Sequence, residues 1–77
     1  MSGAKIDKLV RMANQIGDFF APMPEETGTQ GAANHLKRYW EPRMRKQMLA
    51  HLADGGHGLS DLAREGVQEL ERMQKAA

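Results

Sequence analysis

The chain has 77 residues, a formal net charge of +1 and no cysteine. Its length allows a single domain, and the lack of thiols excludes disulfides, thiolate-bound iron–sulfur clusters and cysteine-type zinc sites. We expect a cytoplasmic protein, because no apolar stretch reaches the roughly 18 residues of a membrane span and no apolar run of a secretory signal follows the first lysines.

The first predicted helix, Lys5–Ala21, has a wide apolar face. Its apolar residues recur at helical spacing. Met12 and Phe19 widen this face along one flank. Since successive residues of an α-helix are about 100° apart, the apolar face then covers about half of the helix circumference. A short helix in a small domain needs less apolar surface for its own core, so we predict that this flank contacts a partner. The alternative is that the domain itself covers the flank. Residues 1–4 are expected to fray.

The next segment carries the features of a connection. Pro22 and Pro24 cannot continue the first helix. Residues 22–30 combine these prolines with glycine, threonines and glutamates, and they predict an exposed loop. A second helix is predicted for Gly31–Trp40.

The third helix is predicted for Pro42–Asp54. Pro42 suits the first helical position, where its missing N–H has no cost, which makes Glu41 the N-cap. Glu41 lies one turn before Arg45 and can form an ion pair with it. Gly55–Gly56 predicts a left-handed end to this helix.

The fourth helix is predicted for Asp61–Ala76, with Ser60 as a favourable N-cap. Gly66 lies within its apolar stripe, where it permits a close backbone approach at a cost of up to about 1 kcal/mol in helix propensity. No segment shows the alternation of a strand. Residues 1–77 therefore predict one small, compact, all-α domain of four helices.

The sequence offers no recognisable chemistry for catalysis. His35, His51 and His57 lack the spacing of a metal-binding motif. Ser60 is better explained as a helix cap than as a nucleophile, and no pair of carboxylates stands out in an apolar setting. We therefore predict no catalytic, cofactor-binding or metal-binding residue in this chain.

One segment is both basic and aromatic, and we call residues 37–46 the elbow. Five of its ten residues are basic and one is acidic. Tyr39, Trp40, Arg43 and Arg45 are of the types that dominate protein–protein interfaces, which favours a partner contact. Two alternatives remain, a solvated basic face over core aromatic residues, or binding of nucleic acid. The near-zero net charge argues against nucleic acid.

Two strings resemble a known family, the delta subunits of NAD-dependent formate dehydrogenase. They are KLVRMANQIGDFF at residues 8–20 and HLKRYWEPRMR at residues 35–45. The resemblance extends over residues 5–71. It implies a cytoplasmic complex that oxidises formate to carbon dioxide and passes electrons through Fe–S clusters and FMN to NAD. The large alpha subunit of such a complex carries a molybdenum or tungsten bis-guanine-dinucleotide cofactor. The delta subunit has no recognised redox centre and supports assembly, stability or cofactor loading.

These observations predict an accessory subunit that contains no cofactor and binds the alpha subunit. The alternatives are an assembly chaperone that leaves after cofactor insertion, a helical homodimer, and a nucleic-acid-binding module as the least favoured. The predicted interface consists of the widened flank of the first helix and the aromatic and arginine side chains of the elbow, namely Met12, Phe19, Tyr39, Trp40, Arg43 and Arg45.

Overall fold

A computed structural model describes residues 2–76, with side chains from Ile6 onward. The described residues form four helices and no strand, which confirms the predicted all-α class. None of these helices combines the length and apolar character needed to cross a bilayer. The helices are α1 (Ser2–Phe20), α2 (Glu25–Tyr39), α3 (Pro42–Ala53) and α4 (Asp61–Ala76).

The core forms around α4, which packs against each of the other three helices and most extensively against α2. Its buried positions recur three or four residues apart, so they share one face of the helix. Burial of this face against the apolar faces of the other helices is the main source of stability. The buried core side chains are Leu9, Ala13, Ala32, Ala33, Leu36, Trp40, Met48, Leu59, Ala63, Val67 and Leu70.

Small residues allow α4 to approach its neighbours closely. A Cβ atom added at Gly66 would lie 2.8 Å from the Cβ of Ala32 on α2. A Cβ added at Gly17 of α1 would lie 3.1 Å from the backbone nitrogen of Ala63. Both distances are shorter than ordinary van der Waals contact. The predicted close approach at Gly66 is therefore confirmed.

The start of α2 corrects the sequence prediction. The helix begins at Glu25 and not at Gly31. The prediction of an exposed loop over residues 22–30 is therefore wrong for residues 25–30, and the connection is limited to residues 21–24.

Two physical effects account for this early start. Pro24 occupies the N-cap position, and Glu25 and Glu26 in the first turn interact favourably with the positive end of the helix dipole. Gly28 is buried, and a Cβ there would lie 2.9 Å from the carbonyl oxygen of Phe20. The glycine that suggested a loop is thus required for packing against the end of α1.

The bounds of α1 differ slightly from the prediction. The helix begins at Ser2 instead of Lys5 and ends at Phe20, two residues before Pro22. The expected fraying of residues 1–4 falls partly on Met1, which lies outside the described residues, and it stays a prediction.

The predicted connection between α3 and α4 is confirmed. Gly55 and Gly56 have φ angles of 115° and 64°, which favour glycine over other residues. The hydroxyl oxygen of Ser60 accepts a hydrogen bond of 3.3 Å from the backbone N–H of Ala63, as expected for an N-cap. These local signals fix the end of one helix and the start of the next.

A side chain of α1 holds this connection in place. The side-chain amide of Asn14 donates to the carbonyl oxygen of Gly58 at 2.9 Å, and its carbonyl oxygen accepts from the backbone N–H of Ser60 at 2.8 Å. The guanidinium of Arg64 donates to the carbonyl oxygens of Gly55 and Gly56. The connection is therefore anchored to both α1 and α4.

Candidate partner-binding groove

An open apolar groove of about 550 Å³ lies between α1 and the C-terminal half of α2. We call it the α1–α2 groove. Among the side chains that the structure describes, no Asp, Glu, Lys or Arg lines it. Its lining residues are Met12, Gln15, Ile16, Phe19, Phe20, His35, Tyr39 and Trp40.

Two aromatic side chains project from this groove into solvent. Phe19 is 69% exposed and Tyr39 is 68% exposed. The ring of Phe19 packs edge-to-face on that of Phe20, with centroids 5.0 Å apart. The ring of Tyr39 lies beside that of His35, with centroids 4.7 Å apart. Because each exposed ring already packs on a neighbouring ring, these side chains would lose little conformational entropy when a partner binds.

The base of the groove belongs to the core. Trp40 is only 5% exposed, so the alternative in which both elbow aromatic residues are core holds for Trp40 and not for Tyr39. The ring of Phe20 lies close against α2, since a Cβ at Gly31 would come within 2.5 Å of it. Gly31 therefore provides the space in which this ring forms the end of the groove.

A second groove, of about 330 Å³, continues from the first along α1 and runs against α3. We call it the α1–α3 groove. It shares Met12 with the α1–α2 groove, so the two lie side by side. Unlike the α1–α2 groove, it is lined by charged side chains. Lys8 and Arg43 are positive, and Glu41 is negative. Its lining residues are Lys8, Leu9, Met12, Glu41, Arg43, Met44 and Gln47.

The two arginines of the predicted interface have different surroundings. Arg43 is exposed and lines the α1–α3 groove. Arg45 is partly buried, and its Nη1 donates to the carbonyl oxygens of Lys37 and Trp40 at 2.9 and 2.7 Å. These carbonyls end α2, where the helix dipole favours a positive charge.

The ion pair that the spacing of Arg45 and Glu41 allows does not form, because no such pair occurs within 4 Å among the described residues. The Nε of Arg45 is buried and has no hydrogen-bond partner among the described residues. Such an unsatisfied donor offsets part of the stability that the two carbonyl contacts provide.

These surroundings predict different effects of two alanine substitutions. Arg45→Ala is expected to lower the free energy of unfolding by about 1 kcal/mol, since two helix-terminal carbonyls lose a charged donor. Arg43→Ala is expected to change it by less than about 0.5 kcal/mol, as is usual for an exposed side chain. Urea unfolding followed by circular dichroism measures both. Equal stability of the two variants would contradict the assignment of Arg45 to the joint between α2 and α3.

Acidic side chains gather at the opposite end of α2. Glu25, Glu26 and Glu69 surround a polar depression between the start of α2 and α4. The pKa of Glu69 is lowered from its ordinary 4.5, because Arg72 and then Gln30 donate hydrogen bonds to its carboxylate. These hydrogen bonds stabilise the fold when Glu69 is ionised. Their contribution is fully present at pH values above the ordinary pKa, and it is lost as the pH falls through the lowered pKa of Glu69. The charges are thus segregated, with the basic elbow at the other end of α2.

The histidines take part in structural contacts. His51 Nε2 lies 2.8 Å from the carbonyl oxygen of His57, and His35 supports the ring of Tyr39. Within the residues that the structure describes, no three His, Asp or Glu side chains form a group that could hold a metal ion.

The structure brings four of the six predicted interface residues, Met12, Phe19, Tyr39 and Trp40, to the α1–α2 groove. Arg43 lines the α1–α3 groove, and Arg45 contacts the carbonyl oxygens at the end of α2. Their role in binding a partner stays a prediction. Four further residues that line this groove were not selected from the sequence, namely Gln15, Ile16, Phe20 and His35. For His35, its position four residues before Tyr39 is the pattern that could have indicated it.

The family comparison agrees with the resemblance noted in the sequence. The family described as NADH-dependent formate dehydrogenase delta subunit FdsD matches residues 8–67. This range contains both strings that carry the resemblance, at residues 8–20 and 35–45. No curated protein and no solved structure matches the chain. Since the match covers most of the 77 residues, this chain belongs to the family of formate dehydrogenase delta subunits.

Proposed function

We propose that this chain is a non-catalytic accessory subunit of a cytoplasmic NAD-dependent formate dehydrogenase. It binds the large catalytic alpha subunit and supports its assembly, stability or cofactor loading. The observation that carries this proposal is the apolar α1–α2 groove, with the exposed rings of Phe19 and Tyr39 at its edge. Apolar surface of this kind on a small domain is typical of protein-binding sites.

We assign the cofactors of the proposed complex to other subunits. A molybdenum or tungsten bis-guanine-dinucleotide cofactor, Fe–S clusters and FMN need thiolate ligands or dedicated binding motifs. This chain has no cysteine, and its described residues form no metal-binding group. The lack of thiolates supports this assignment for the Fe–S clusters, and no step of formate oxidation is assigned to this chain.

The proposal is tested by purifying a tagged form of the chain from its native host, followed by size exclusion and mass spectrometry. A stable subunit remains with the large subunit through the column, together with metal and formate-dependent NADH formation. Binding only to metal-free large subunit would identify a departing chaperone instead. A chain that elutes alone, or only as a dimer of itself, would contradict the proposal.

The three supporting roles are separated by purifying the large subunit from cells with and without this chain. A role in cofactor loading predicts a soluble large subunit with a reduced molybdenum or tungsten content. A role in stability predicts a normal metal content but a lower yield and a lower melting temperature. A role in assembly predicts that the large subunit separates from the other subunits. An identical enzyme from both strains would contradict all three roles.

A further inference from the structure

We propose that the α1–α2 and α1–α3 grooves together receive one amphipathic helix of the partner. Its apolar side chains contact the α1–α2 groove, and its carboxylates lie over Lys8 and Arg43. This inference rests on the proposed function, in which the chain binds a larger subunit. It goes further by naming the kind of structural element that is bound and the direction of its charge.

The shape of the surface favours a helix as the occupant. No strand occurs in residues 2–76, so the described surface offers no sheet edge to which an extended segment could add. Recognition must therefore rely on side chains, as it does when a helix binds in a groove between helices. From Lys8 to Phe19 the two neighbouring grooves follow α1 over about 17 Å, at a rise of 1.5 Å per residue. This length corresponds to about three turns of a bound helix.

The lining of the α1–α2 groove indicates apolar anchors on the bound helix. Phe19 on α1 and Tyr39 on α2 stand on its two sides. Met12 and Ile16 lie along α1 and are only partly buried by the chain itself. Flexible methionine adapts to the shape of apolar partners. Apolar residues at helical spacing on the partner would cover all four side chains.

The charges indicate carboxylates at one end of the bound helix. Lys8 and Arg43 line the α1–α3 groove, and the elbow carries five basic residues and one acidic residue. A basic helix would place like charges beside these groups, which disfavours binding. In a second copy of this chain, the acidic cluster of Glu25, Glu26 and Glu69 surrounds a polar depression instead of an apolar stripe, so this cluster is not a suitable occupant.

The apolar part of the proposal is tested with the double substitution Phe19→Ala and Tyr39→Ala. Both side chains are largely exposed, so the helical content should persist, which circular dichroism checks. The dissociation constant for purified large subunit is expected to rise at least about thirtyfold, as for the loss of interface hot spots. Met23→Ala removes an exposed apolar side chain outside both grooves and is the matched control.

The outcomes separate this inference from the proposed function. If the unmodified chain does not bind the large subunit, the proposed function fails. If it binds, and the folded double variant binds equally well, the groove is not the docking surface and this inference fails alone.

The charge of the occupant is tested with Lys8→Glu and Arg43→Glu in one chain. We expect affinity to fall about tenfold at low salt, and this difference from the unmodified chain to become smaller as salt is added, because salt screens both attraction and repulsion. The control combines Arg72→Glu and Lys75→Glu on α4, which changes the net charge by the same amount outside the lining of both grooves. Because Arg72 pairs with Glu69 and Lys75 with Glu71, circular dichroism must first show that this control remains folded. Equal losses in the two variants, or tighter binding by the groove variant, would overturn the acidic assignment.

The helical nature of the occupant is tested by cross-linking. Because the chain has no cysteine, Tyr39→Cys places a photoreactive label at one position only. The cross-linked peptide of the large subunit is expected to carry apolar residues at positions i, i+3 or i+4, and i+7, with Asp or Glu beside them. Lys75→Cys is the control label. A cross-link to an extended segment, to a basic segment or to a second copy of the chain would contradict the proposal.

Discussion

Leu70→Ala is expected to remove a large part of the stability of the isolated chain. Leu70 is fully buried on α4, at the centre of the core. Truncation of a buried leucine to alanine costs about 2–5 kcal/mol, because apolar contacts are lost and a cavity remains. A domain of this size has a total stability of about 4–12 kcal/mol. Thermal unfolding should therefore show a melting temperature at least about 10 °C lower.

Leu70→Met is the matched control for this substitution. It keeps the volume approximately constant, and we expect a loss below about 1.5 kcal/mol. If the proposed function holds, the large subunit should restore much of the fold of the alanine variant, because a partner that binds only the folded chain stabilises it. An alanine variant as stable as the unmodified chain would contradict the position of α4 in the core.

Gly66→Ala is expected to lower the free energy of unfolding by about 1 kcal/mol, although alanine is the better helix former. The added Cβ would lie 2.8 Å from the Cβ of Ala32, so α2 and α4 must move apart. Neither atom can rotate away, since both are attached directly to the backbone. Overpacking of this kind costs about 1–3 kcal/mol, which exceeds the gain of up to about 1 kcal/mol in helix propensity.

The exchange of the two residues provides the control. The double variant Ala32→Gly with Gly66→Ala keeps one glycine and one alanine at this contact. We expect it to recover most of the lost stability, which a double-mutant cycle in urea would measure as a coupling between the two positions. If the double variant is less stable than Gly66→Ala alone, close contact between α2 and α4 is not the cause of the loss.

The sequence predicts those elements whose signals are local. Pro42 at the first position of α3, the glycines after it and the cap at Ser60 each act within a few residues, and they place α3 and α4 correctly. The start of α2 depends instead on a contact between Gly28 and the end of α1. Low helix propensity at this glycine suggested a loop, because propensity carries no information about such tertiary contacts.

The candidate groove was predictable in its parts but not in its assembly. Met12 and Phe19 were expected on a flank of the first helix, and Tyr39 in the elbow. Their meeting depends on how α1 packs beside α2, which periodicity does not determine. Neighbouring helical residues point about 100° apart, so the sequence alone did not decide that Trp40 enters the core while Tyr39 remains outside. The carbonyl contacts of Arg45 likewise require the bend between α2 and α3.

The central place of α4 has a consequence for the timing of synthesis. The ribosome makes both walls of the α1–α2 groove first, yet both α1 and α2 pack on α4, which is made last of the four helices. Isolated helices of this length are marginal in water and depend on such packing. The groove therefore takes its final shape only after residues 61–76 have left the exit tunnel. A partner that recognises this shape would ignore shorter nascent chains and bind only chains in which α4 has left the tunnel and packed on α1 and α2.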